Sequence, residues 1–294
     1  MPQENRANNA TRTHRTLWWK EVLIVTVFYG IYTLVRNLFG SALVSGSQIP
    51  VEAFLNAMRV IRVERAIGLY HEETIQDWFL PHVGLVKFFN VYYGTAHFFV
   101  TLAVFVTLFV KRPDVFGLWR NCLAAMTALA IVGFAFFPLM PPRLLDAPCP
   151  PDGYGAVCIE HELRNYNDAE NFGYSDTIKE FGGPWAFDRG PGATLSNQYA
   201  AMPSLHIGWA TWCVFAMYPL ARRRVLRIAL LAYPLFTLAC IVITGNHFWI
   251  DGIGGQVALA LGVWGGWSLH RWNTRRLDHR HDITHGIERP ARPA

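Results

Sequence analysis

Uncharged apolar runs recur along the chain, and short basic clusters separate them. The first run, Val22 to Val35, lies between Lys20-Glu21 and Arg36 and follows the interface-type pair Trp18-Trp19. It is short for a bilayer span, but long flanking side chains extend its reach by snorkelling. The second covers about His82 to Val110, is interrupted by Lys87 and His97, and stops at Lys111-Arg112-Pro113. The third, Asn121 to Pro138, carries no charge and leads into Pro141-Pro142-Arg143. The fourth, Leu205 to Ala221, is closed by Arg222-Arg223-Arg224. The fifth runs from Ile228 to Thr244, and the sixth from Gly252 to His270, ahead of Arg271, Arg275 and Arg276. The pattern predicts an all-α fold: a polytopic membrane helical bundle with about six transmembrane helices.

The remaining segments read differently. Residues 1–16 are polar and basic, without the uncharged run and cleavage site of a signal peptide, and are expected to form a disordered tail. Gln48 to Leu80 mixes helically spaced Phe54, Leu55, Met58, Ile61 and Ile67 with Arg59, Arg62, Glu64 and Arg65. That is the pattern of an amphipathic helix lying on the membrane or packed across the bundle. Residues 139–203 form a long loop rich in Gly, Pro, Asn and Tyr; unpatterned loops of this length are often functional. A catalytic membrane domain is therefore expected over 17–272, with a polar cytoplasmic tail over 273–294. His279, His281 and His285 in that tail read as a solvated basic end rather than a metal site.

Composition supports the membrane reading. The 294 residues are 52% hydrophobic and only 16% charged, against about a quarter charged in soluble domains. The net charge of +5 does not point to nucleic acid, because the basic residues sit in short loops between apolar runs. With the N-terminus inside, six spans place Lys111-Arg112, Arg222 to Arg224 and Arg271 to Arg276 inside too, as the positive-inside rule requires. The long loop, with nine Asp/Glu against four Lys/Arg, then falls outside. Cys122, Cys213 and Cys240 lie in apolar runs as small core residues, whereas Cys149 and Cys158 share the outer loop and are candidates for a disulfide. No zinc-type spacing is present.

This topology gathers the candidate chemistry on one face. His247 and Asp251 are four residues apart, so a helix brings the carboxylate to one imidazole nitrogen and leaves the other basic. His206 follows Met202-Pro203-Ser204-Leu205 at the mouth of the fourth run. Pro203 favours a first helical turn, where Ser204 and unbonded N–H groups face an anion. Arg143 follows two prolines that stiffen its approach, and its planar guanidinium suits phosphate. Together these make a phosphoryl-transfer site. One histidine attacks phosphorus, its aspartate fixes the tautomer, the second histidine protonates the leaving oxygen, and Arg143 and Ser204 hold the phosphate. No metal or other cofactor is required by this scheme.

These motifs resemble the phosphatidic acid phosphatase type 2 superfamily, in which an arginine motif, a Pro-Ser-x-His motif and a His-x-x-x-Asp motif form a site between membrane helices. Pro-Pro-Arg-Leu-Leu (141–145), Ala-Met-Pro-Ser-Leu-His (201–206) and Thr-Gly-Asn-His-Phe-Trp-Ile-Asp (244–251) resemble most its inositol-phosphorylceramide-synthase-like branch. So do Val63-Glu-Arg-Ala-Ile-Gly and Tyr92-Tyr-Gly-Thr-Ala-His97. The resemblance implies that His247 is the nucleophile, Asp251 its orienting group and His206 the acid, with Arg143 and Ser204 binding phosphate. Two family cations are missing: Phe136 stands where the first motif has lysine, and Cys240-Ile241 where the third has Ser-Arg. Glu64 and His97 are further ionisable residues beside apolar runs, expected to pair with charges inside the bundle.

The function expected is transfer of a phosphorylated headgroup, of inositol-phosphate type, between lipids through a phosphohistidine at the outer face. The substrate would be a membrane phospholipid or prenyl phosphate, with a lipid alcohol as acceptor and no nucleic acid. The alternatives are a lipid phosphate or polyprenyl diphosphate phosphatase, in which water is the acceptor, and a phospholipid-binding transporter that uses the same cations without chemistry. A vanadium-type haloperoxidase shares the anion site but not the membrane spans.

Overall fold

The computed structural model describes residues 18–38, 49–146, 172–182 and 198–285. Nine α-helices are seen among them: α1 (Trp18–Leu38), α2 (Ile49–Ala66), α3 (Glu72–Phe79), α4 (Val83–Lys111), α5 (Pro113–Phe136), α6 (Thr177–Phe181), α7 (Leu205–Met217), α8 (Arg224–Ile243) and α9 (Trp249–His285). Short 3₁₀ turns cover Pro142–Leu144 and Tyr218–Leu220. The described residues form no strand; a single bridge pairs Leu139 with Ala200. The all-α expectation is met.

Among the described residues, three helices, α4, α5 and α8, are long and apolar enough to cross a membrane. Their outward surfaces carry exposed Phe99, Leu102, Val106, Val132 and Leu235, which water would penalise and acyl chains accept. The expected count of about six spans is reached only in part. The fourth run forms just 13 residues of α-helix, α7, before breaking into a 3₁₀ turn at Tyr218–Leu220. At 1.5 Å per residue that is about 20 Å, short of the roughly 30 Å hydrocarbon core. Lys111-Arg112-Pro113 does end the second run, but Pro113 also begins α5 at once, because proline suits the first helical position. Likewise α9 starts at Trp249 and continues past His270 to His285. The mixed stretch 48–80 is two helices, α2 and α3, separated by a turn in which Gly68 takes a φ of +71°. The basic tail 1–16 and the Cys149–Cys158 pair lie outside the described residues.

Two packing regions position the site. In the first, α4, α5, α7 and α9 meet through Val104, Leu108, Phe116, Met126, Trp212 and Leu259. Glycines let α9 come close to α5: a Cβ on Gly262 would stand 2.6 Å from the Met126 side chain, and one on Gly266 2.5 Å from the Cys122 backbone. Small residues one turn apart are the usual means of close packing inside membranes. In the second, α2 packs Ala53, Phe54, Ala57 and Ile61 against Leu139, Met140, Leu144 and Phe248. This core supports the segments that carry Arg143 and His247 from beneath.

Candidate active site

The C-terminal end of α8 is shaped by its own sequence. Gly245 takes a φ of +65°, its N–H donates to Val242 O, and the Asn246 N–H donates to Ile241 O. This crossed pair of bonds stops the helix with a left-handed glycine. A Cβ at Gly245 would also come within 2.8 Å of Gln76 Nε2, so the turn needs glycine twice over. The turn delivers Asn246 and His247 into the interior, and α9 begins two residues later.

His247 Nδ1 lies 3.1 Å from Asp251 Oδ2. The same carboxylate oxygen accepts the Phe248 N–H at 3.0 Å, which fixes it in place. Asp251 is fully buried and His247 almost so. With Nδ1–H directed at the carboxylate, Nε2 carries the lone pair. That nitrogen faces the Ser204 hydroxyl at 3.4 Å. The Ser204 N–H in turn donates to Asp251 O at 2.9 Å, and a Cβ on Gly255 would strike Ser204 O at 2.3 Å. Close backbone approach thus holds the start of α7 against the start of α9.

His206, in the first turn of α7, places its ring centre 5.5 Å from that of His247. It is stacked on Tyr93 at 4.4 Å and meets the edge of His97 at 4.2 Å. His97 Nδ1–H donates to Tyr93 O at 3.0 Å, within α4. The ionisable residue in the middle of the second run therefore stands beside the site.

Arg143 lies in the Pro142–Leu144 turn, and its N–H donates to Gly245 O at 2.8 Å. Its guanidinium is buried. Nε donates to Asn246 Oδ1 at 2.9 Å, Nη1 to Asp176 Oδ2 at 2.7 Å, and Nη2 to Gln198 Oε1. Asp176 caps α6 by accepting the Lys179 N–H. The segment that carries it is tied down by Asp146, which accepts the Phe172 and Tyr174 N–H groups at 2.8 Å, and by Gln76, whose Oε1 accepts the Ser175 N–H. All five residues expected at the site thus come from the same end of the bundle. Bonds link His247 with Asp251 and Ser204, a ring contact links His247 with His206, and the 244–247 turn links them to Arg143.

Sequence reasoning missed Asp176 and Gln198 as partners of Arg143, and Asn246 despite its place beside His247. Nothing marks Asp176 among the acids of an unpatterned loop. His97 and Glu64 carried a signal, as costly ionisable groups beside apolar runs. The positions of the absent family cations are apolar in kind. Phe136 points outward with 82% of its surface exposed, while Cys240 and Ile241 are buried, with Cys240 Sγ donating to Phe89 O.

The helical bundle thus brings a buried His–Asp pair, a serine, a second histidine and an arginine together at one end. A model of the PAP2 superfamily matches residues 58–265, more than half of the chain, and the protein belongs to that superfamily. Membership fits lipid phosphate phosphatase or phosphotransferase chemistry. No curated protein and no solved structure matches the chain.

Proposed function

We propose that the protein transfers a phosphorylated headgroup, of inositol-phosphate type, from one membrane lipid to the hydroxyl of another at the extracytoplasmic face. The observation that carries the reading is the His247–Asp251 bond of 3.1 Å, which turns the basic Nε2 toward Ser204. The Nε2 lone pair attacks phosphorus, and the bond from phosphorus to the lipid alkoxide breaks. His206, as imidazolium, gives its proton to the departing oxygen. Asp251 stabilises the charge that develops on His247, while Arg143 and the Ser204 hydroxyl bind the phosphoryl oxygens. In the second half the acceptor hydroxyl gives its proton to His206 and attacks phosphorus. The N–P bond breaks, and its electron pair returns to His247.

A lipid alcohol is favoured over water as acceptor by the resemblance to the synthase-like branch. The missing lysine and second arginine also depart from the phosphatase pattern. The positive clusters at the opposite ends of the helices support an extracytoplasmic site. The test uses purified protein with headgroup-labelled phospholipids, with and without ceramide or diacylglycerol, beside His247→Ala. Label on the acceptor that vanishes in the variant supports transfer. Acceptor-independent release of free phosphate, also lost in the variant, makes the protein a phosphatase.

A further inference from the structure

The first turn of α9 is held by two acids from elsewhere in the chain. Glu64 Oε1, on α2, accepts the Ile250 N–H at 2.8 Å, across 186 residues of sequence. Glu72 Oε1, on α3, accepts the Trp249 N–H at 3.2 Å. Glu72 Oε2 accepts the His71 N–H at 3.0 Å, which sets its own orientation. Both side chains are completely buried. They secure two of the three residues between His247 and Asp251, in the turn that decides whether the imidazole and carboxylate meet.

We infer that Glu64 and Glu72 are positioning residues for the proposed reaction: by accepting the Ile250 and Trp249 N–H groups they clamp the first turn of α9 and hold His247 and Asp251 in reactive register.

The protonation of Glu64 follows from its surroundings. Glu64 Oε2 is buried without a hydrogen-bond partner, and the Glu72 carboxyl acts on it as a like-charged neighbour. Burial and a like charge both disfavour the ionised form. Other groups around the pair leave little to compensate a second charge. Asp251 on α9 adds a negative field, as does Glu73 from α3 on the neighbouring Tyr70. Tyr174, from the 172–182 segment, and Tyr70, from the α2–α3 turn, are neutral hydroxyls that burial pushes up. The cation on this side, Arg65, stacks over the Tyr70 ring at 4.8 Å and is itself exposed. Burial, then Glu72, push the Glu64 carboxyl up to about 9. Glu64 therefore keeps its proton at neutral pH and loses it in mild alkali.

The inference rests on the reading of His247 as nucleophile. Its test measures steady-state lipid phosphate transfer by the full-length protein in detergent from pH 6 to 10, for wild type, Glu64→Gln, Glu64→Ala and His247→Ala. Glutamine keeps the acceptor for the Ile250 N–H and offers a permanent donor to Glu72, so it copies the protonated acid. Glu64→Gln is expected to keep kcat within about twofold at neutral pH and to stay active above pH 9, where the wild type declines. Glu64→Ala is expected to lose about 10²-fold in kcat, the scale of an ångström-sized misplacement, with KM little changed. Wild-type kcat in Glu64→Ala overturns the inference, and so does Glu64→Gln failing as badly as alanine. Activity retained in His247→Ala overturns the nucleophile assignment instead. Activity lost there but kept in Glu64→Ala overturns the clamp alone.

Discussion

At the scale of single residues, the site is governed by which partner each donor faces. Asp251 takes Nδ1–H of His247 and leaves Nε2 basic. Asp251→Asn keeps the shape but can stabilise the wrong tautomer, so kcat should fall by about 10³- to 10⁴-fold with substrate binding retained; steady-state kinetics checks this. Arg143 illustrates a different balance. Its guanidinium neutralises Asp176 in a buried pair 2.7 Å apart. Arg143→Ala strands that carboxylate and should lower stability by about 3–5 kcal/mol, read as thermal unfolding in detergent. Arg143→Lys keeps a charge for Asp176 but cannot serve Asn246 and Gln198 together, so its loss should show mainly as weaker substrate binding. The histidines, the serine, the aspartate and the arginine were legible in the sequence because each sits at the end of an apolar run, where a polar group stands out. Asp176 and Gln198 were not, because their pairing with Arg143 spans 33 and 55 residues and is set by tertiary contact alone.

At the scale of elements, the helix ends do the positioning and the glycines allow it. The α8 stop at Gly245 and the α9 start at Trp249 lie four residues apart, and the nucleophile stands between them. Replacing Gly266 with alanine drives a Cβ to 2.5 Å from the Cys122 backbone and should cost about 1–3 kcal/mol. Gly84→Ala, where a Cβ meets nothing within 4 Å, is the matched control; unfolding midpoints compare them. The Glu64 clamp has a stability signature as well. Its carboxyl is raised in the folded protein from an ordinary value of 4.5 to about 9. The stability it contributes is full below pH 4.5 and is lost as pH rises toward 9, because only the folded state keeps the proton in that window. The wild-type melting temperature should therefore fall with pH across this range more steeply than that of Glu64→Gln. Periodicity revealed the apolar face of α2, but which backbone donors Glu64 would reach depended on a helix far away in sequence. Pro113 was harder still, since proline both closes one helical pattern and opens the next.

At the scale of the whole molecule, membership in the PAP2 superfamily, an all-helical fold and a site at one end of the bundle agree with one another. The proposed orientation rests on charge bias along the chain, and the same alternation of apolar runs and basic clusters made the fold class readable. The number of spans was less readable, because composition does not report where a helix breaks, as α7 does after Met217. The central claim is that His247 becomes covalently phosphorylated during transfer between lipids. The measurement that tests it most directly is trapping of that intermediate. Purified protein is mixed with a phospholipid labelled at phosphorus, quenched in alkali within a turnover and analysed by peptide mass. The expected result is a base-stable, acid-labile phosphoryl adduct on the peptide containing His247, absent from His247→Ala and removed on adding a lipid alcohol. Equal labelling of His247→Ala, or turnover by that variant at the wild-type rate, would contradict it.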